Sequence, residues 1–161
     1  VPIWLAAGGP KSSHLAAEFA DGLMISVKDP EDAYERVINP AQIKTDELGK
    51  SQLRVHTYRW TMFAQNDDDA WESLKSWRGL RAPNRLQEID PQALREQADA
   101  LPKEEIMSKF SRAGTIDELV DIYSPLVDDF GSEIVTIQIS SVDQEETIKL
   151  LGKELLPRLK K

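Results

Sequence analysis

The residues that could do chemistry begin at Ala6-Ala7-Gly8-Gly9-Pro10-Lys11-Ser12, a glycine turn that follows an apolar run and opens a helical pattern. In that order, backbone N–H groups of the turn and of the first helical turn can hold a phosphate near the positive end of the helix dipole, and the glycines permit close approach. The spacing is neither that of a Walker loop nor that of a G-x-G-x-x-G fingerprint, so a tight strand-to-helix connection accounts for the same residues. Ser26, Val27, Lys28 and Asp29 close a second apolar run. The Ser26 hydroxyl and Lys28 ammonium either grip a ligand there or act as a helix cap and a solvated charge. Arg78, Arg81, Arg85, Lys109 and Arg112 form a local basic excess in an acidic chain, read as an anion pocket or as solvated surface.

Other chemistries find less support. The chain has no cysteine, which removes disulfides, thiolate metal sites and cysteine nucleophiles. His14 and His56 are its two imidazoles, each without a nearby His or Cys, so neither a metal site nor a Ser-His-Asp arrangement is expected. Asp67-Asp68-Asp69 and Glu145-Glu146 fall at helix starts, where the macrodipole accounts for them without a catalytic dyad. A net charge of -8 disfavours nucleic acid as a partner. No apolar stretch approaches the ~20 residues that span a bilayer. With 161 residues, 40% hydrophobic and 30% charged, a globular protein is expected, and with no basic-then-apolar signal segment at its start a cytoplasmic one.

The elements that would position these residues follow from periodicity. Residues 2–7 read as a strand buried on both faces, Lys11 to Ala20 as a helix, and Leu23 to Val27 as a second buried strand, one βαβ unit that predicts parallel pairing. Pro30 to Leu48 is helical with a break expected at Asn39-Pro40. Leu53 to Phe63 alternates as a third strand. Asp67 to Trp77 is a helix carrying Trp71, Leu74 and Trp77 at steps of three. Arg78 to Asp90 is read as a long loop, Pro91 to Ala100 and Lys103 to Phe110 as short helices, and Thr115 to Phe130 as a helix opened by the capping pair Thr115 and Glu118. Glu133 to Ile139 is the fourth strand, and Asp143 to Leu159 the closing helix. The fold class is α/β, about four parallel strands alternating with helices, at lengths that suit half of a (β/α)8 barrel or, less well, a small open doubly wound sheet. Residue 1 is Val and the chain enters a buried-strand pattern at once, which suggests a piece of a longer protein whose exposed sheet edges would need covering.

The stretches VPIWLAAGGPKSSHLAAEFADGLMIS, WRGLR, DPQALREQADALP, SRAGTIDELVD and LGKELLPRLKK together resemble the C-terminal half of F-420-dependent glucose-6-phosphate dehydrogenases and, more widely, luciferase-like TIM-barrel enzymes. The resemblance covers nearly all of residues 1–161, treated as one half-barrel domain. It implies that Ala7, Gly8 and Gly9 contact the deazaflavin cofactor F-420. The family's sugar-phosphate pocket uses a threonine that falls on Ser26 and a lysine three residues later that falls on Asp29, with Lys28 one place earlier. A second family lysine falls near Arg85, and an arginine before the capping-box helix falls on Lys109. The implied pocket is basic but altered, fitting a phosphorylated sugar, an alcohol or another anionic substrate. The family's catalytic histidine, tryptophan and glutamate have no counterparts here, so no catalytic residue is assigned. Two alternatives share the barrel: a flavin mononucleotide-dependent monooxygenase and a methylenetetrahydromethanopterin reductase. A homodimer of the full-length protein, or a non-catalytic half barrel that self-associates through its sheet edges, is the expected assembly.

Overall fold

A computed structural model describes residues 1–159, in two compact units. Among the described residues, the first comprises Val1–Arg59 and Val120–Gln138; the second comprises Trp60–Leu119 and residues 139–159.

In the first unit, β1 (Trp4–Ala6), α1 (Pro10–Phe19) and β2 (Gly22–Ser26) form the expected βαβ unit. β1 pairs in parallel with β2, and β2 with the start of β3 (Arg54–Phe63). The register sets Trp4 beside Gly22, Met24 beside His56, and Ser26 beside Tyr58. Leu23, Ile25 and Thr57 point to one face of this sheet and are buried. Trp4, Met24, His56 and Tyr58 point to the other and are half-buried. β1 departs from expectation. Ile3 is 59% exposed and Ala6 is exposed, because β1 pairs only with β2 among the described residues and so keeps an open edge.

The stretch after β2 is also corrected. No break occurs at Asn39-Pro40: α2 (Pro30–Ala33) continues through a π-helical segment, Tyr34–Ile38, into α3 (Asn39–Glu47). Pro40 has no N–H, and in an α-helix its ring would press on the carbonyl four residues back. Widening the preceding turn, with Asn39 N–H donating to the Tyr34 carbonyl, absorbs that conflict. The same solution recurs in the second unit. There α8 (Gln144–Leu150) passes through a π-helical Leu151–Leu155 into α9 (Leu156–Leu159), with Pro157 placed two residues beyond the segment as Pro40 is.

In the second unit the end of β3 pairs in parallel with β4 (Ser111–Ala113), Thr61 lying beside Ser111. Alternation in the sequence predicts four strands; β4 is a fifth, and its three residues are too few to show alternation. The helix expected to reach Trp77 ends earlier, as α4 (Asp67–Ser73). Beyond it, hydrogen bonds from Leu74 N–H to the Trp71 carbonyl and from Trp77 N–H to the Leu74 carbonyl follow the tighter step of three that the Trp71, Leu74, Trp77 spacing reflects. Trp77 then meets Trp60 edge-on at 4.7 Å between ring centroids. The supposed long loop opens with a 3₁₀ turn, Arg78–Arg81, before α5 (Pro91–Asp99) and α6 (Lys103–Met107). Met62, Leu74, Ile106 and Phe110 make up much of this unit's core.

Helix starts behave as read. Glu118 N–H donates to Thr115 Oγ1 at the head of α7 (Ile116–Asp128), and the Glu118 carboxylate reaches back to accept from Gly114 N–H at 2.6 Å. Asp143 caps α8 by accepting from Glu146 N–H. β5 (Ile134–Ser140) pairs with β3.

Gly22 is where the fold leaves no room. A Cβ there would sit 2.4 Å from the Trp4 ring. Gly22→Ala is expected to lower stability by about 1–3 kcal/mol, the usual range for overpacking, in denaturant unfolding followed by circular dichroism.

Candidate functional site

The parallel register brings three chain segments to one edge of the first unit. Ala7 N–H donates to the Met24 carbonyl at 3.0 Å, and Val27 N–H to the Tyr58 carbonyl at 2.9 Å. The turn after β1, the end of β2 and Tyr58 therefore meet. Together with α2 and the π-helical segment they enclose a cleft of about 450 Å³, lined among others by Gly8, Ser26, Lys28, Asp32, Arg36 and Tyr58. Open α/β sheets place ligands at this carboxyl edge.

The glycine turn is held by its own serines. Ser12 Oγ accepts from Gly8 N–H at 3.2 Å and donates to the Gly9 carbonyl at 2.9 Å, and the buried Ser13 donates to that same carbonyl at 2.9 Å. Pro10 at the first helical position has no N–H to leave unsatisfied. Ala7 is buried and its amide is engaged by the sheet. The N–H groups of Gly9, Lys11 and Ser12 have no hydrogen-bond partner among the described residues. Neither Gly8 nor Gly9 lies in the left-handed region, Gly9 being extended at φ 177°, and a Cβ on either would meet nothing within 4 Å. The fold itself does not require glycine at these two positions. Space beside the backbone is what a bound group would use.

Three charged residues of the cleft, Asp29, Asp32 and Arg36, have local roles. Asp29 accepts from Asp32 N–H at 3.1 Å and so caps α2, which gives a physical reason for a carboxylate where the related pocket has a lysine. Asp32 lies 3.3 Å from Arg36, whose other nitrogen approaches the Gly8 carbonyl at 3.5 Å. Arg36 and Tyr58 were not singled out in the sequence. Arg36 reads there as the partner of an acid four residues earlier, and Tyr58 as one position of an alternating strand.

Of the expected site residues, Ala7, Gly8, Ser26 and Lys28 line this one cleft, while Gly9 caps α1 beside it. Arg85 and Lys109 belong to the second unit. Arg85 donates to the Leu80 carbonyl at 3.3 Å; Lys109 lies 3.3 Å from Glu105 and 3.5 Å from the Arg81 carbonyl. His56 faces a second cleft of the first unit, about 360 Å³, with Met24, Tyr58, Thr136 and Gln138. Its Nε2 is 2.8 Å from Thr136 Oγ1 and its ring meets Trp4 edge-on at 6.0 Å. Among the described residues no group of three or more His, Asp or Glu side chains is placed to hold a metal ion, and no helix is long and apolar enough to cross a membrane.

This parallel α/β arrangement matches half of known TIM-barrel enzymes. The structure of an F420-dependent secondary alcohol dehydrogenase in complex with an F420-acetone adduct superposes with a TM-score of 0.81 at 22% identity, covering 100% of this chain and 49% of that one. The coenzyme F420-dependent tetrahydromethanopterin reductase of Methanopyrus kandleri superposes with a TM-score of 0.68 at 21% identity, covering 99% and 51%. The sequence model of the luciferase-like monooxygenases matches residues 1–128, and the chain belongs to that family. Among curated relatives, the F420-dependent glucose-6-phosphate dehydrogenase of Microbacterium testaceum is 30% identical over 166 residues, spanning 100% of this chain and 49% of its own length. The 5,10-methylenetetrahydromethanopterin reductase of Methanopyrus kandleri is 26% identical over 179 residues, spanning 99% and 51%. The chain thus spans about half the length of the curated relatives it matches.

Beside the clefts, Arg54 grips Glu133 with two nitrogens, one at 2.6 Å, and lies over the Trp4 ring at 5.1 Å. The hydrogen bond from Arg54, and then its charge, hold the Glu133 carboxyl below the usual carboxylate range. The folded state therefore favours the ionised form. Its contribution to stability is present above the ordinary glutamate value and disappears as pH falls through the lowered one. Carboxyl carbon titration by NMR should place the Glu133 midpoint below the ordinary glutamate value, and Arg54→Gln should return it to that value; an ordinary midpoint in the unaltered protein would mean the pair does not form.

Proposed function

We propose that the protein is a coenzyme F-420-dependent oxidoreductase that moves hydride between the deazaflavin and a sugar phosphate or alcohol. The observation that carries this reading is the glycine turn. Gly8 and Gly9 leave open space beside backbone amides at the head of α1, in a family with F420-dependent relatives along the whole chain. In this reading the turn at Ala7, Gly8 and Gly9 receives the phosphate of the cofactor, with the N–H groups of Gly9, Lys11 and Ser12 as donors. Ala7 contributes by shape, because its own N–H is bonded to Met24. Ser26 and Lys28 supply a hydroxyl and an ammonium to substrate within the first unit; Arg85 and Lys109, in the second unit, are cations suited to an anionic ligand. The cofactor, when bound, supplies the hydride acceptor; this chain's residues bind and orient.

The test is binding of F-420, read by its fluorescence, to the protein and to Gly8→Ala. The substitution meets no neighbouring atom, so the melting temperature should be unchanged. Affinity should fall about tenfold or more if the added methyl group displaces the phosphate from the amides, the equivalent of roughly one charge-assisted hydrogen bond. Preference for flavin mononucleotide over F-420 would favour the monooxygenase reading, and loss of folding in Gly8→Ala would show the glycine to be structural. With the whole protein and F-420, absence of cofactor bleaching by any sugar phosphate or alcohol would remove the dehydrogenase assignment.

A further inference from the structure

The cleft beside the glycine turn holds two cations, Lys28 and Arg36, and two carboxylates, Asp29 and Asp32. Asp29 is occupied as the cap of α2. Asp32 meets Arg36 through one oxygen, Oδ2, at 3.3 Å from Nη1. That contact is loose. Every other arginine–carboxylate ion pair among the described residues closes to 2.7 Å or less. The second contact of Arg36, from Nη2 to the Gly8 carbonyl, is 3.5 Å, and both exceed the usual N–H···O range of about 2.7–3.2 Å. The two side chains are 58% and 57% exposed. An exposed pair of this kind shifts an equilibrium by at most about fivefold.

The backbone position of Arg36, by contrast, is fixed by the fold. It lies in the π-helical Tyr34–Ile38, where Pro40 widens the helix, and its neighbours Val37 and Ile38 are buried. Such widened turns recur at functional sites. Here the guanidinium reaches the carbonyl of the peptide unit whose N–H, that of Gly9, has no partner among the described residues. A loosely held cation therefore stands within one peptide unit of a free backbone donor. We infer that Arg36 is a further binding residue of this cleft, the cation that meets a phosphate on the glycine turn, and that Asp32 is its placeholder. The phosphate, bonded by the turn amides, gives the planar fork two acceptor oxygens where Asp32 gives one, so the guanidinium exchanges one anion for the other. The inference rests on the proposed cofactor site only for whose phosphate this is.

The test is a double-mutant cycle on the full chain, with F-420 binding read by its fluorescence and inorganic phosphate binding read from the Gly9 backbone amide signal by NMR. Arg36→Gln should weaken both about tenfold or more. Asp32→Asn should strengthen both by about two- to fivefold, because it frees the guanidinium from an exposed pair. The Asp32 backbone N–H still donates to Asp29 in that variant, so α2 keeps its cap. With Arg36→Gln in place, Asp32→Asn should no longer alter binding. A gain of equal size in that background would show Asp32 merely repelling anions, and overturns the placeholder role. Undiminished binding in Arg36→Gln overturns the binding role, as does absence of any Gly9 shift with either ligand. Should Arg36→Gln fail to fold, Arg36→Lys, which keeps the charge without the fork, decides: reduced affinity supports the assignment and undiminished affinity overturns it. Failure of F-420 to bind, with the phosphate pattern intact, would strike the oxidoreductase reading and leave the Arg36 assignment standing.

Discussion

The parallel register of β1, β2 and β3 is the constraint on which the rest of the candidate site depends. Parallel strands start at one edge and end at the other, so every residue that follows a strand end is delivered to the same side. Ala7 N–H on the Met24 carbonyl and Val27 N–H on the Tyr58 carbonyl extend that pairing just past the strands. A slip of one residue would exchange Leu23 and Ile25 with Met24 and Ser26, moving apolar side chains out of the core and the hydroxyl out of the cleft. Gly22 under Trp4 opposes such a slip, since the ring occupies the space that any other residue in that place would fill.

The same register separates two kinds of surface. On the helix-covered face Leu23, Ile25 and Thr57 are buried and contribute stability. On the opposite face Trp4, Met24, His56 and Tyr58 are only half-covered, and apart from Met24 they are aromatic rather than the branched aliphatic residues of a finished core. His56 bonds to Thr136, and Arg54 links Trp4 to Glu133, so this face is organised by hydrogen bonds and ring contacts as much as by apolar packing. Tyr58 lines the clefts of both His56 and Gly8, which makes it a shared wall of the first unit's two concavities.

Much of this was legible from residue order. The glycine turn, the βαβ unit, the Thr115 and Glu118 pair and the acidic helix starts each depend on neighbours within a few positions, and local patterns report local hydrogen bonds. The errors arose where a longer-range partner decided the outcome. Pro40 in sequence predicts a break, but a helix held on one side by buried Val37, Ile38 and Ala41 widens its turn instead of ending. The spacing of Trp71, Leu74 and Trp77 predicts a helix longer than α4, whereas Trp77 answers to Trp60 across the core of the second unit. β4 carries no signal of its own, being defined by the end of β3 beside it.

The sequence by itself determined the fold class, the family, and the Gly8-Gly9 turn and strand-end Ser26 and Lys28 as the places to look, since these follow from periodicity, turn chemistry and motif. Only the tertiary structure decided that Gly8 and Gly9 are unneeded by the backbone, that Asp29 is a helix cap, that Arg36 and Tyr58 complete the cleft, and that Arg81 lacks an acceptor. The physical reason is common to all four. Vacant space, carboxylate pairing and desolvation are properties of what surrounds a side chain, and residues distant in sequence provide those surroundings.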